Sequence, residues 1–131
     1  RDVDVREIEG GGAAGGLAGG LASIGAQVVP GFELVADELG LDELLEGADL
    51  VVTGEGFLDE QSFDGKVVGG VAEMAAELGV PVLAVVGATA DDVDDGVPTV
   101  SLSAEHGEDR ARAQTTALVE AAVTRHLRDR G

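Results

Sequence analysis

One glutamate stands between two glycines, Gly54-Glu55-Gly56, with Asp59 four positions on, Gln61 and Ser62 next, and Lys66 closing the stretch. Lys66 is the only lysine in the chain. Phosphoryl transfer is mostly positioning and charge neutralisation. It needs a carboxylate or two for magnesium, a cation for phosphate oxygens and a group near the attacking hydroxyl. The stretch supplies each kind: Glu55 and Asp59 for metal or hydroxyl, Lys66 for the phosphate, Gln61 and Ser62 for hydrogen bonds to a hydroxylated substrate. Gly65-Lys66 is followed by valine and lacks the upstream glycine of a Walker A loop. On spacing alone, solvated loop acids and a surface lysine explain the same residues slightly better than a site does.

The elements around the stretch must position it. Leu50 to Val52 is a short apolar run, so Asp49 to Thr53 is expected as a strand. Val67 to Leu78 has helical apolar spacing at Val67, Val68, Val71, Met74, Ala75 and Leu78. Val82 to Val86 is a second continuous apolar strand. Strand, helix and strand make a βαβ unit, and strands apolar on both faces belong to a covered parallel sheet. Acids at the carboxyl end of such a strand occupy the usual place of a ligand site in an open α/β sheet. Val97 to Leu102 is expected as a third strand, and Glu105 to Asp109 as the start of one last helix running to about Arg130. Pro30-Gly31 is a turn, and two short helices follow, Phe32 to Leu39 ended by Gly40 and Leu41 to Glu46.

The first third of the chain is glycine-rich and uncharged from Gly10 to Phe32. A membrane span would suit its length, but its glycines make it weakly hydrophobic. A soluble helix from about Ala13 to Ile24 is expected, buried against a sheet or another helix through its small residues. Gly10 to Gly15 also spells a formal G-x-G-x-x-G. A dinucleotide site would want flanking strands, which Pro30-Gly31 interrupts. The surviving reading is a phosphate-facing turn, with Gly12, Gly15 and Gly16 presenting free N–H groups. Residues 1 to 9 read as an edge strand or a leader.

Length and composition fit one α/β domain over residues 1–131, three-layered, with a mainly parallel sheet and a glycine-rich buried helix. The formal net charge is −18, which argues against nucleic acid and anionic membranes as partners. A salt-adapted cytoplasm and a lysine-avoiding, high-GC genome explain that charge about equally. There is no cysteine, so disulfides, thiolate metal sites and cysteine nucleophiles are excluded. Asp91, Asp92, Asp94 and Asp95 lack the spacing of a calcium loop and read as solvated surface. With no signal peptide visible, the cytoplasm is the expected location.

The stretch GGGAAGGLAGGL from Gly10, PGFELVADELGLDELLEGADLVVTGEG from Pro30, LDEQSFDGK from Leu58 and GVPVLAVVG from Gly79 together resemble the C-terminal part of bacterial glycerate kinases of the glycerate 2-kinase type. The resemblance implies ATP-dependent phosphorylation of D-glycerate with magnesium. It also implies a longer protein of two α/β domains with the site in the cleft between them. It carries Glu55, Asp59, Gln61 and Lys66 over as site residues. An N-terminal segment that contributes to the family's site has no counterpart here, so a missing segment or partner chain is expected, and a homo-oligomer is compatible. Phe57 stands where that family usually has arginine, and Val68 where it has proline. The alternatives are a non-catalytic α/β domain acting with a partner chain, and a dinucleotide-binding module.

Overall fold

The computed structural model describes residues 4–63, 66–90, 93 and 96–131. Asp64, Gly65 and the cluster Asp91, Asp92, Asp94 and Asp95 lie outside the described residues. Among the described residues there are five strands and seven α-helices, three of the helices before the first strand and three after the last. The helices are α1 (Ala13–Ser23), α2 (Gly31–Leu39), α3 (Leu41–Leu45), α4 (Val67–Glu77), α5 (Leu102–His106), α6 (Glu108–Ala113) and α7 (Thr115–Arg130). The strands are β1 (Val51–Thr53), β2 (Phe57–Leu58), β3 (Val82–Val86), β4 (Ala88–Thr89) and β5 (Thr99–Ser101).

β3 is the centre of a three-stranded parallel sheet in the order β1-β3-β5. Its side chains alternate between two cores, as pleating requires. Leu83 and Val85 pack with Leu102, Ala111, Leu118 and Ala122 on one face. Ala84 and Val86 pack with Leu58 and Val68 on the other. The fold is therefore three-layered: α4 on one side, sheet, then α5, α6 and α7. Each fully buried Leu or Val in these layers contributes about 1.5–3 kcal/mol. The expected strand–helix–strand unit is β1, α4 and β3, with parallel register Val51 to Val82 and Thr53 to Ala84.

The chain after β1 is more ordered than a loop. Gly87 N–H donates to the Glu55 carbonyl at 3.0 Å, Ala88 N–H to Gly56 at 3.0 Å and Ala90 N–H to Leu58 at 2.9 Å. These bonds carry β1 and β3 onward into a second parallel pair, β2 with β4. Gly54 and Gly87 permit it, because a Cβ on either would collide with backbone, at the Val85 and Gly56 carbonyl oxygens respectively.

Three expectations need correction. α1 is present, but Ala14, Gly15 and Gly16 have left-handed φ of 53°, 69° and 92°, so its regular part begins after Gly16. Nor is α1 buried: Leu17 is 60% and Ile24 82% exposed, and only Gly19 is buried. Its close packing is internal, since Gly19 N–H donates to the Gly11 carbonyl at 2.9 Å. The last helix begins earlier than expected, at Leu102, where the Ser101 hydroxyl accepts from Ala104 N–H. It is broken at Gly107 (φ 82°) and at Gln114 (φ −127°, ψ 27°). Residues 5–7 form a 3₁₀ turn in place of an edge strand. Among the described residues, no helix is long and apolar enough to cross a membrane.

Candidate functional site

Glu55 follows β1 directly, and its backbone is fixed by the bond from Gly87. Its side chain is half-buried, yet Oε1 is shut off from solvent and has no hydrogen-bond partner. Buried polar atoms are nearly always partnered, and an orphaned acceptor costs about 1–3 kcal/mol. Such an oxygen is left for water or for a donor or cation from outside the chain.

Lys66 stands at the N-cap of α4, exposed, with extended backbone (φ −97°, ψ 174°). α4 has no side-chain cap and no acid in its first turn. Its free N–H groups and the lysine ammonium therefore put positive charge at one place. Lys66 and Glu55 line one cavity of about 530 Å³ between α2 and α4. The rest of that wall is carbon from Phe32, Val35, Leu39, Val67 and Val71. Gly70 lets the Phe32 ring lie against α4, where a Cβ would strike it.

Glu55 also lines a second cavity, of about 830 Å³, on the opposite side of the sheet. There it meets Phe57, Ser103, Glu108, Arg112 and Thr115. Phe57 reaches this side because its neighbour Leu58, 1% exposed, points into the α4-side core. Glu55 is thus the wall between two cavities.

The other candidates fall elsewhere. The Ser62 hydroxyl donates to Asp59 Oδ1 at 3.2 Å and accepts from the Asp59 N–H at 3.1 Å. Ser62 is 1% exposed, and its hydroxyl bonds Asp59 at the start of the 3₁₀ turn Glu60–Phe63 that precedes Lys66. Asp59, half-buried, and Gln61, exposed, line neither cavity. Gly12, Gly15 and Gly16 are exposed and also line neither. Arg112 and Ser103 were missed because their helices reach the site from 50 residues or so along the sequence, with no local motif to mark them. The groups displaced from their ordinary protonation range lie away from the site. A hydrogen bond from Arg6 holds Asp4 low, and the Glu105 carboxylate raises Arg125.

A parallel α/β layer with a carboxylate that has a buried, unpartnered oxygen and a lone lysine at its carboxyl edge is a class of fold that many functions share. The comparisons with known proteins narrow that class. The glycerate kinase family model matches residues 1–128, and the chain belongs to that family. It is 45% identical over 92 residues to glycerate 2-kinase of Escherichia coli K12, covering 70% of this chain and 24% of that protein. It is 44% identical over 109 residues to glycerate kinase of Halalkalibacterium halodurans, covering 82% of this chain and 27% of that protein. A crystal structure described as glycerate kinase 2 from Salmonella typhimurium LT2 superposes with a TM-score of 0.57 at 35% identity, over 94% of this chain and 36% of that one. The chain thus spans about a quarter of the length of the curated relatives it matches.

Proposed function

We propose that this chain forms part of a longer or split enzyme that phosphorylates D-glycerate with ATP. The observation that carries the reading is that Glu55, whose Oε1 has no hydrogen-bond partner, lines one cavity with Lys66. Family membership supplies the substrate class.

In this reading Glu55 Oε1 accepts the hydrogen of the glycerate hydroxyl. As the hydroxyl oxygen bonds to the γ-phosphorus, the bond to the ADP oxygen breaks and the proton passes to Glu55. Lys66 and the start of α4 hold the phosphoryl oxygens during transfer. Magnesium, when bound, neutralises phosphate charge. Among the described residues no group of three or more His, Asp or Glu could hold it. Magnesium takes one or two carboxylates and fills its remaining positions with water and phosphate oxygens. The second oxygen of Glu55 would be its ligand. Asp59, proposed as its companion from sequence, accepts the Ser62 hydroxyl on Oδ1 and would have Oδ2 to offer. Gly12, Gly15 and Gly16 stay in the proposal only as an anion contact completed by chain outside this segment.

A coupled assay of ADP release tests the reading. The expected result is D-glycerate-dependent turnover when the chain is combined with the remaining segment of a family member. Absence of turnover, and of any glycerate-dependent thermal shift with magnesium-ATP in excess, would leave the non-catalytic alternative standing. Binding of NAD in preference to ATP would favour the dinucleotide module.

A further inference from the structure

Among the described residues, β1 and β5 are the two edges of the three-stranded sheet, and the two edges differ. β5 follows Pro98 directly. Ala84 N–H donates to the Pro98 carbonyl at 2.9 Å, so the backbone groups of the polar residues Thr99 and Ser101 face outward. Proline at a strand start and polar residues along the edge keep a sheet from pairing further. β1 has neither: Leu50-Val51-Val52-Thr53-Gly54 carries no charge and no proline. Its edge also runs on, because the bonds from Gly87, Ala88 and Ala90 hold residues 55–58 in line with it. Val51 N–H donates to the Pro81 carbonyl at 2.9 Å, so the next amide, Val52 N–H, points to the open side. Apolar parallel strands are ordinarily covered on both faces. The inner strand β3 has four of its five residues buried; β1 has none of three, and Val52 is 43% exposed.

α2 marks the place of a further strand. α4 packs over β1 and β3, and α2 lies beside α4 with the Phe32 ring against Gly70. It lies on the β1 side, because the cavity between the two helices ends on Gly54 and Glu55, which continue β1. Packed helix axes are about 8–10 Å apart and paired strands about 4.8 Å. α2 therefore stands roughly two strand widths outward of α4, over space that the described strands do not fill. Val35 and Leu39, on its cavity side, are 56% and 66% exposed there. We propose that a β-strand from the part of the family protein outside these residues pairs with the open edge of β1, beneath α2, and continues the sheet. The relatives have the length to supply it: this chain covers 24% and 27% of two of them, so about three-quarters of each lies outside the match. A second copy of this chain suits the edge less, since two bodies of net charge −18 repel. One exposed valine is ordinarily of no consequence; here an unprotected edge, an overhanging apolar helix and the length of the relatives agree on one place. One end of the added strand lies beside Glu55, so that segment forms the outer wall of the cavity holding Glu55 and Lys66. The assignment rests on the sheet and on family length, not on the reaction.

Hydrogen exchange at single amides reads the edge directly. This chain alone is compared with a full-length chimera in which it replaces the matching stretch of Escherichia coli glycerate 2-kinase. Val52 N–H should exchange at least about 100-fold more slowly in the chimera, and Thr99 N–H, on the β5 edge, should change by less than about three-fold. Should the chimera not fold, the same measurement on whole E. coli glycerate 2-kinase, at the residue aligned with Val52, decides the question. Fast exchange at Val52 in the folded chimera, or equal protection at Thr99 and Val52, would overturn the proposal. So would a Val52 amide already slow in the chain alone; a dimer mass would then give the edge to a second copy. Protection at Val52 in a chimera without glycerate phosphorylation sinks the kinase reading and leaves the strand in place. Turnover with Val52 still fast sinks the strand and spares the kinase reading.

Discussion

Replacing Glu55 by leucine should make the protein more stable and inactive at once. Oε1 is buried with no partner, so the folded state bears the desolvation of an acceptor that water satisfies in the unfolded chain. That penalty is about 1–3 kcal/mol for a buried group. Because the Glu55 side chain as a whole is only half-buried, we place the gain in the lower part, about 1–2 kcal/mol. For a chain of this size each kcal/mol moves Tm by roughly 3–6 °C, so the expected rise is about 3–12 °C. Leucine matches the carbon wall of the cavity between α2 and α4 and introduces no polar atom. Thermal melts by circular dichroism measure the shift, with Glu55→Gln as a control that keeps shape and polarity but removes the charge. Magnesium-ATP should raise the wild-type Tm and leave that of the leucine variant unmoved. A leucine variant that melts at or below the wild type would show that Glu55 is satisfied in solution, and the account of an unpartnered acceptor would fail. The gain in stability with loss of function is the trade expected where a site is held under local penalty.

Other outcomes follow from the same structure. Lys66→Ala should lose most turnover while changing stability by no more than about 0.5 kcal/mol, since Lys66 is exposed; unchanged turnover would remove it from the site. Leu58→Ala empties a fully buried position between β2 and α4 and should cost about 2–5 kcal/mol in urea melts. Gly54→Ala drives a Cβ into the Val85 carbonyl and should cost about 1–3 kcal/mol or more. Gly12→Ala meets open space at φ −76° and should be neutral or stabilising. With a net charge of −18, Tm should rise with salt as self-repulsion is screened; a flat Tm would remove the salt-adaptation reading.

The parts of this fold legible in sequence are those that local pattern determines. The apolar runs at Leu50 to Val52 and Val82 to Val86, with a helical period between them, led directly to β1, α4 and β3. Gly40 was readable as a helix stop, and it adopts the left-handed φ of 61° that such a stop needs. β2 and β4 were not legible, because two-residue strands have no period and exist through backbone bonds to each other. The break at Gln114 has no glycine or proline to mark it. The glycine-rich segment had too little side-chain information to show whether anything covers it, and within this chain its apolar residues stay exposed. Of the proposed site, Glu55 and Lys66 stand out in sequence because glycines and a helix start surround them, and both line one cavity. The Ser62 bonds to Asp59 were not legible, because a serine three residues after an aspartate reads the same whether it faces a ligand or closes a turn. Ser103 and Arg112 depended on tertiary placement, which spacing does not carry.

The central claim is that Glu55 and Lys66 act on one transferred phosphoryl group. A double-mutant cycle on kcat for glycerate phosphorylation, using Glu55→Gln, Lys66→Ala and the pair together, addresses it most directly. Two groups acting as one unit are strongly non-additive, so the double variant should be about as slow as the worse single variant. Losses that multiply would place the two side chains in separate roles and contradict the account.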